Sequence, residues 1–202
     1  LFEVYTKGFL EACPALTEKE VEEMKALGIA DAYMDEHGYV YGTVPGEPGR
    51  PVVGLIAHMD TSPEAPGKCT SPRFIENYDG KDIALGNGKI LSPENFPDLL
   101  LYKGKTLITT DGSTLLGADD KAGVAEIMEM AETIIKENLP HGRIAIGFCP
   151  DEEIGHGAEL LDLELFGADF GFTVDGSGPE DIEAETFNAA CATIKFNGVS
   201  VH

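Results

Sequence analysis

The stretch Thr114-Leu-Leu-Gly-Ala-Asp-Asp-Lys-Ala-Gly123 decides how the chain is read. An apolar approach, Leu115-Leu116, runs into two adjacent acids, Asp119 and Asp120, and a helical pattern follows. Val124, Ile127, Met128, Ala131, Ile134 and Ile135 recur at spacings that place them on one helix face. The acid pair therefore falls at a helix N-terminus, where free backbone N–H groups favour negative charge. Taken alone, the pair reads as an acidic cap on an ordinary surface helix. Three other stretches change that reading, because each delivers His, Asp or Glu at the end of a strand-like run.

Residues 52–57, Val-Val-Gly-Leu-Ile-Ala, form a short β-branched apolar run that predicts a strand buried on both faces. His58-Met-Asp60-Thr61 follows at its carboxyl end. Residues 143–149 repeat the buried-strand pattern and run into Pro150-Asp-Glu152-Glu153-Ile-Gly155. Residues 170–174 predict a third buried strand, closed by Asp175-Gly176. Buried strands alternating with helices predict an α/β layered domain with a mixed, mostly parallel sheet flanked by helices. Ligands of such sheets bind beyond the carboxyl ends of the strands. His58 and Asp60, Glu152 and Glu153, Asp175 and the Asp119–Asp120 pair are thus expected to face one crevice.

The remaining segments carry architecture. Thr17-Glu-Lys-Glu20 matches a capping box, Val21, Met24 and Leu27 give the following helix an apolar face, and Gly28 is a natural stop. Residues 39–44 predict a strand. Residues 62–113 are rich in Pro and Gly and too long for a structureless loop, so they are expected to form a small strand-rich insert. Strands are predicted there at 83–85, 89–91 and 107–110, with Gly86-Asn-Gly-Lys89 as a hairpin turn; the phosphate-loop spacing is absent. A short helix is expected at 158–163 and two final strands at 183–187 and 190–196.

Composition narrows the function. With 202 residues and 43% hydrophobic content, the chain has material for a real core. A net charge of −22 argues against nucleic acid and anionic membrane surfaces, which need basic patches. Cys13, Cys69, Cys149 and Cys191 are widely spaced, so neither a disulfide framework nor a thiolate zinc site is expected. No apolar run approaches a membrane span, and no signal-peptide layout opens the chain; a cytoplasmic protein is the simplest fit. The chain opens on Leu1 and stops at His202 after a strand-like run, which reads as a piece of a longer protein.

One imidazole and several carboxylates without cysteine is a donor set that suits Zn²⁺. A ligating imidazole usually gives its other N–H to a carboxylate, and residues two apart on an extended chain point the same way, so Asp60 can serve His58. Glu152-Glu153 offers one carboxylate to a metal and a neighbour to accept a proton. His37, His141 and His156 are expected to be surface residues.

His58-Met-Asp-Thr-Ser-Pro, Leu-Leu-Gly-Ala-Asp119-Asp-Lys-Ala-Gly, Pro-Asp-Glu152-Glu153-Ile-Gly and Thr-Val-Asp175-Gly together resemble the motifs of the peptidase T family. These are tripeptide aminopeptidases of the co-catalytic di-zinc peptidase superfamily, which also holds aminoacylases and dipeptidases. The likeness continues through residues 74–80, 82–86, 106–112, 187–190 and 198–202. It implies that Asp119 bridges two zinc ions, that His58 and Asp175 complete one site, and that Glu153 belongs to the other. It further implies that Asp60 orients His58, that Glu152 is the general base, and that the Asp119–Asp120 peptide is cis. His202 matches a family histidine that reaches a partner's active site to stabilise the transition state. The second metal of the family needs a late histidine, which these 202 residues do not supply.

The resemblance implies residues 1–178 as a partial catalytic domain containing the 62–113 insert, and 179–202 as its last strands plus the start of a lid or dimerisation domain. The expected activity is removal of the N-terminal residue from tripeptides, by a full-length homodimer, with little turnover by this chain alone. A deacylase or dipeptidase of the same superfamily, a non-catalytic metal-binding remnant or interaction module, and a metal-free carboxylate-pair hydrolase are the competing readings.

Overall fold

The computed structural model describes residues 16–67, 72–176, 178, 181–185, 190 and 192–199. Its centre is a five-stranded sheet of order β1-β2-β8-β3-β9. The strands are β1 (Tyr33–Met34), β2 (Val40–Val44), β3 (Val53–His58), β8 (Ile144–Cys149) and β9 (Phe170–Thr173). β1, β2 and β8 pair antiparallel, whereas β3 runs parallel to both β8 and β9. The sheet is therefore mixed, and the three strands expected to carry site residues all end on the same edge. Register makes this concrete: His58 lies opposite Cys149, and Ile56 opposite Thr173.

Alternation along β2 and β8 fills two cores. Val40, Val44, Ile144, Ile146 and Phe148 join Met24, Ile29, Val124, Ile127, Met128 and Ala131 on one face, where α1 (Leu16–Leu27) and α2 (Ala118–Glu137) pack. Tyr39, Tyr41, Ala145 and Cys149 join Phe166 of α3 (Leu163–Phe166) on the other. Helices thus cover both faces of the central strands, as the alternation predicts. The predicted α2 face is the buried one, with Ile134 and Ile135 half-buried beside it.

The insert forms two small sheets. β4 (Arg73–Ile75) pairs antiparallel with β7 (Leu107–Thr109), and β5 (Ile83–Gly86) forms a hairpin with β6 (Lys89–Leu91). Asn87 and Gly88 turn that hairpin with φ of 50° and 75°, the left-handed pair that a two-residue turn requires. The Arg73 guanidinium donates to the carbonyls of Ala84 and Leu85 and ties the two sheets together.

Several expectations are corrected. β9 is a strand, but it is exposed along its length because it forms an edge of the sheet among the described residues; Phe170 and Phe172 stack edge-to-face there instead of entering a core. Residues 158–160 are turns, and the helix begins at Leu163, because Asp162 accepts the Leu165 N–H as its N-cap. Thr17 already lies within α1, so it is not the N-cap, and Glu20 is buried. The described residues of 183–187 and 190–196 are not strands: they pair with no neighbour, and a strand exists only where a ladder takes its N–H and C=O groups. β4 and a 3₁₀ turn at Pro97–Tyr102 were not anticipated. Residues 186–187 and His202 lie outside the described residues.

Candidate metal centre

His58 closes β3 and is almost fully buried at 2% exposure. Its Nδ1 faces two acceptors of Asp60, the backbone carbonyl at 3.1 Å and Oδ1 at 3.2 Å. In the neutral ring the proton therefore belongs on Nδ1, and the Nε2 lone pair points into the site. Nε2 lies 2.9 Å from Asp119 Oδ1 and 3.8 Å from both Glu152 Oε2 and Asp175 Oδ2. One imidazole nitrogen and carboxylates from three further segments thus meet at the carboxyl edge of the sheet.

Local chain geometry explains how each segment arrives. Gly117 has φ 77°, and Asp119 and Asp120 have non-helical backbone angles before the regular helix begins. The Asp119–Asp120 peptide is cis, as the resemblance implies. The two carboxylates part company: the Asp119 side chain is 73% exposed toward the site, whereas Asp120 is buried at 3%. Asp120 accepts the backbone N–H groups of His58 at 3.0 Å and Gly123 at 3.2 Å. Beyond β8, Asp151 turns the chain at φ 61°, and a 3₁₀ turn at Glu152–Ile154 presents the glutamate pair. Both of its first N–H groups are taken by Asp60, Glu152 N–H by Oδ1 and Glu153 N–H by Oδ2, each at 3.1 Å. Beyond β9, Val174 N–H donates to the Ile56 carbonyl at 2.7 Å and delivers Asp175 beside His58.

The electrostatics follow from crowding negative groups around one ring. Burial alone would lower the His58 pKa, but the hydrogen bond with Asp119 and the charges of Asp60, Asp120 and Asp175 outweigh it and raise it above the ordinary value. Burial, opposed by the His58 N–H, pushes the Asp120 carboxyl up to about 7. Burial and the neighbouring Asp119 charge raise Asp175. Burial pushes the nearby Cys149 thiol up to about 11, and its Sγ faces the Ala57 carbonyl at 3.6 Å.

The donor set fits a cation. One donor atom each from His58, Asp119 and Glu153 lies within 4.8 Å of the others, and the same holds for His58, Asp120 and Asp175. Every residue singled out in the sequence and described here, namely His58, Asp60, Asp119, Glu152, Glu153 and Asp175, is brought to this edge. Asp120 was not singled out as a separate member. The sequence signal that marks it is its adjacency to Asp119: a turn that aims one carboxylate outward leaves its neighbour facing inward. His156 is exposed and pairs with Glu159 at 2.9 Å, the surface position expected of it.

No family model matches the chain. Curated proteins do: a peptidase T from Halothermothrix orenii is 54% identical over 187 residues, which covers 90% of this chain and 46% of that protein. The chain is a relative of the peptidase T proteins. It spans about half the length of the curated relatives it matches. Among solved structures, a tripeptidase from Staphylococcus aureus has a TM-score of 0.56 at 31% identity, over 78% of this chain and 36% of that one. Aminopeptidase PepT from Bacillus cereus has a TM-score of 0.59 at 26% identity, over 80% and 37%. The peptidase T likeness read from the motifs, and the layered α/β fold it implied, hold.

Proposed function

We propose that this chain carries the zinc-binding core of an aminopeptidase that removes the N-terminal residue from short peptides, with tripeptides as the substrate class. The observation that supports this most is His58 Nε2 facing Asp119 at 2.9 Å, with Glu152 and Asp175 each at 3.8 Å. Zinc held there would supply a Lewis acid and lower the pKa of a bound water to about 7. His58, Asp119 and Asp175 would hold one ion, and Asp119 and Glu153 would serve a second, which needs a further ligand from outside these 202 residues. Glu152, with a half-exposed side chain, accepts the proton that the attacking water gives up. Asp60 keeps the His58 proton on Nδ1. His202 serves the transition state, and the full-length protein works as a cytoplasmic homodimer on small peptides.

Titration with Co²⁺, read by visible absorption, tests the site without requiring turnover. The wild-type chain is expected to bind, and His58→Ala and Asp119→Asn to lose most of the signal. A wild-type chain that binds no metal overturns the reading. In a protein carrying the complete ligand set, Glu152→Gln is expected to retain metal and lose peptide hydrolysis.

A further inference from the structure

We infer that Asp60 is a positioning residue for the Glu152–Glu153 pair as well as for the imidazole, so that the two halves of the site are set by one carboxylate. This rests on the metal-site reading proposed above. An aspartate that only orients a histidine needs one acceptor atom. Asp60 offers three: its backbone carbonyl and Oδ1 face His58 Nδ1, Oδ1 also accepts Glu152 N–H, and Oδ2 accepts Glu153 N–H.

Those two N–H groups begin a short 3₁₀ turn and have no intrahelical acceptor. The N-cap residue Asp151 supplies none, because its side chain makes no capping bond. A carboxylate from a distant segment therefore does what a local cap does elsewhere. Asp60 belongs to the segment after β3, and the glutamates to the segment after β8, so the contact spans 92 residues of sequence for Glu152 and 93 for Glu153. The turn closes on itself through Gly155 N–H on the Glu152 carbonyl at 2.8 Å and His156 N–H on the Asp151 carbonyl at 2.9 Å, but none of its residues is buried and Ile154 is 53% exposed, so burial does not fix its position. Gly157 packs behind it, so close to Glu152 that an added Cβ would lie 2.9 Å from its Cα. Asp60 in front and Gly157 behind fix where the glutamates stand relative to His58.

Amide hydrogen exchange of the wild-type chain without metal, followed by NMR, tests the positioning directly. Asp60→Ala is expected to lower protection of the Glu152 and Glu153 amides by about tenfold or more, the worth of a charge-assisted hydrogen bond. Asp60→Asn keeps one carbonyl acceptor and is expected to expose one of the two amides. Amides of β8, such as Ile146 and Phe148, stay protected in both variants, which separates release of the turn from unfolding. His58→Ala is expected to leave Glu152 and Glu153 protected. Unchanged protection of these two amides in Asp60→Ala, or equal loss in His58→Ala, overturns the inference.

Metal affinity supplies the second readout. Asp60→Asn is expected to weaken Co²⁺ binding by about tenfold or more, within the range of outer-shell effects. In a Glu153→Gln background the same substitution is expected to cost clearly less. Additive effects of the two substitutions overturn the coupling. A wild-type chain that binds no Co²⁺ sinks the proposed function, whereas the exchange result still decides whether Asp60 holds the turn.

Discussion

The carboxylate of Asp120 accepts the backbone N–H of His58 at 3.0 Å, across 62 residues of sequence. The first turn of α2 is thereby fastened to the last residue of β3, and Asp119 is presented to the imidazole as a consequence. Asp120 also accepts Gly123 N–H, so truncation strands two donors in a buried place. Asp120→Ala is expected to be less stable than Asp120→Asn by about 1–3 kcal/mol, the cost of a donor left without a partner, because Asn keeps one acceptor while both variants lose the buried charge that opposes folding near neutral pH. Urea unfolding of the two variants measures the difference; equal stability removes this role.

The motifs were legible because their residue types are costly to place anywhere else. A histidine and an acid two apart after a β-branched run, and paired acids before a helix, have few settings besides a strand-end site. β3, β8 and α2 were legible for the same reason, each carrying a long apolar pattern with a clean period. β4 was missed because Arg73-Phe74-Ile75 is three residues long, mostly exposed, and given strand character only by β7. β9 was misjudged as buried because Phe-Gly-Phe-Thr-Val has the composition of a core strand; composition does not reveal that its outer neighbour is missing among the described residues. The divergent facing of Asp119 and Asp120 depends on backbone angles and on partners more than sixty residues away, neither of which is a local property.

Gly123 lies where α2 packs against Val174, the residue that follows β9. A Cβ at this position would overlap the Val174 carbonyl oxygen and crowd Asp120 Oδ1, neither of which is the free end of a flexible side chain. Gly123→Ala must therefore displace Val174, and Asp175 with it, relative to His58. The expected cost is about 1–3 kcal/mol, as for overpacking elsewhere, together with weaker Co²⁺ binding. Gly88→Ala, at a turn with open space around it, serves as a control that costs stability through its φ of 75° but leaves metal affinity unchanged. Equal metal affinity in the Gly123→Ala variant and wild type would falsify the link between this contact and the site.

Metal binding and folding should be linked. A cation that binds only the folded chain stabilises it by about 2.7 kcal/mol at one hundred times its dissociation constant. Zinc is expected to raise the thermal midpoint of the wild-type chain, and a chelator to reverse the change. His58→Ala is expected to abolish the zinc-dependent part. Differential scanning calorimetry with and without zinc distinguishes the cases, and a zinc-induced rise of equal size in His58→Ala would place the ion elsewhere.

Glu20 offers a pH test on a group that the candidate metal centre does not use. It lies in α1 at 4% exposure, and its Oε2 has no hydrogen-bond partner. Burial pushes its carboxyl up to about 8 from an ordinary 4.5. Below pH 4.5 both folded and unfolded chains hold the proton, and the group does not oppose folding. As pH rises toward 8, the unfolded chain releases the proton while the folded chain retains it, so stability falls; above 8 the loss is complete and constant. Glu20→Gln, neutral in both states, is expected to be more stable than wild type at pH 8 by on the order of a few kcal/mol. The advantage should shrink as pH falls and close near 4.5, because the variant then differs little from a protonated glutamate. Chemical denaturation of both proteins across this range isolates the one group, since all other titrations cancel in the difference. A difference that does not vary with pH would mean that Glu20 keeps its ordinary pKa in the folded chain.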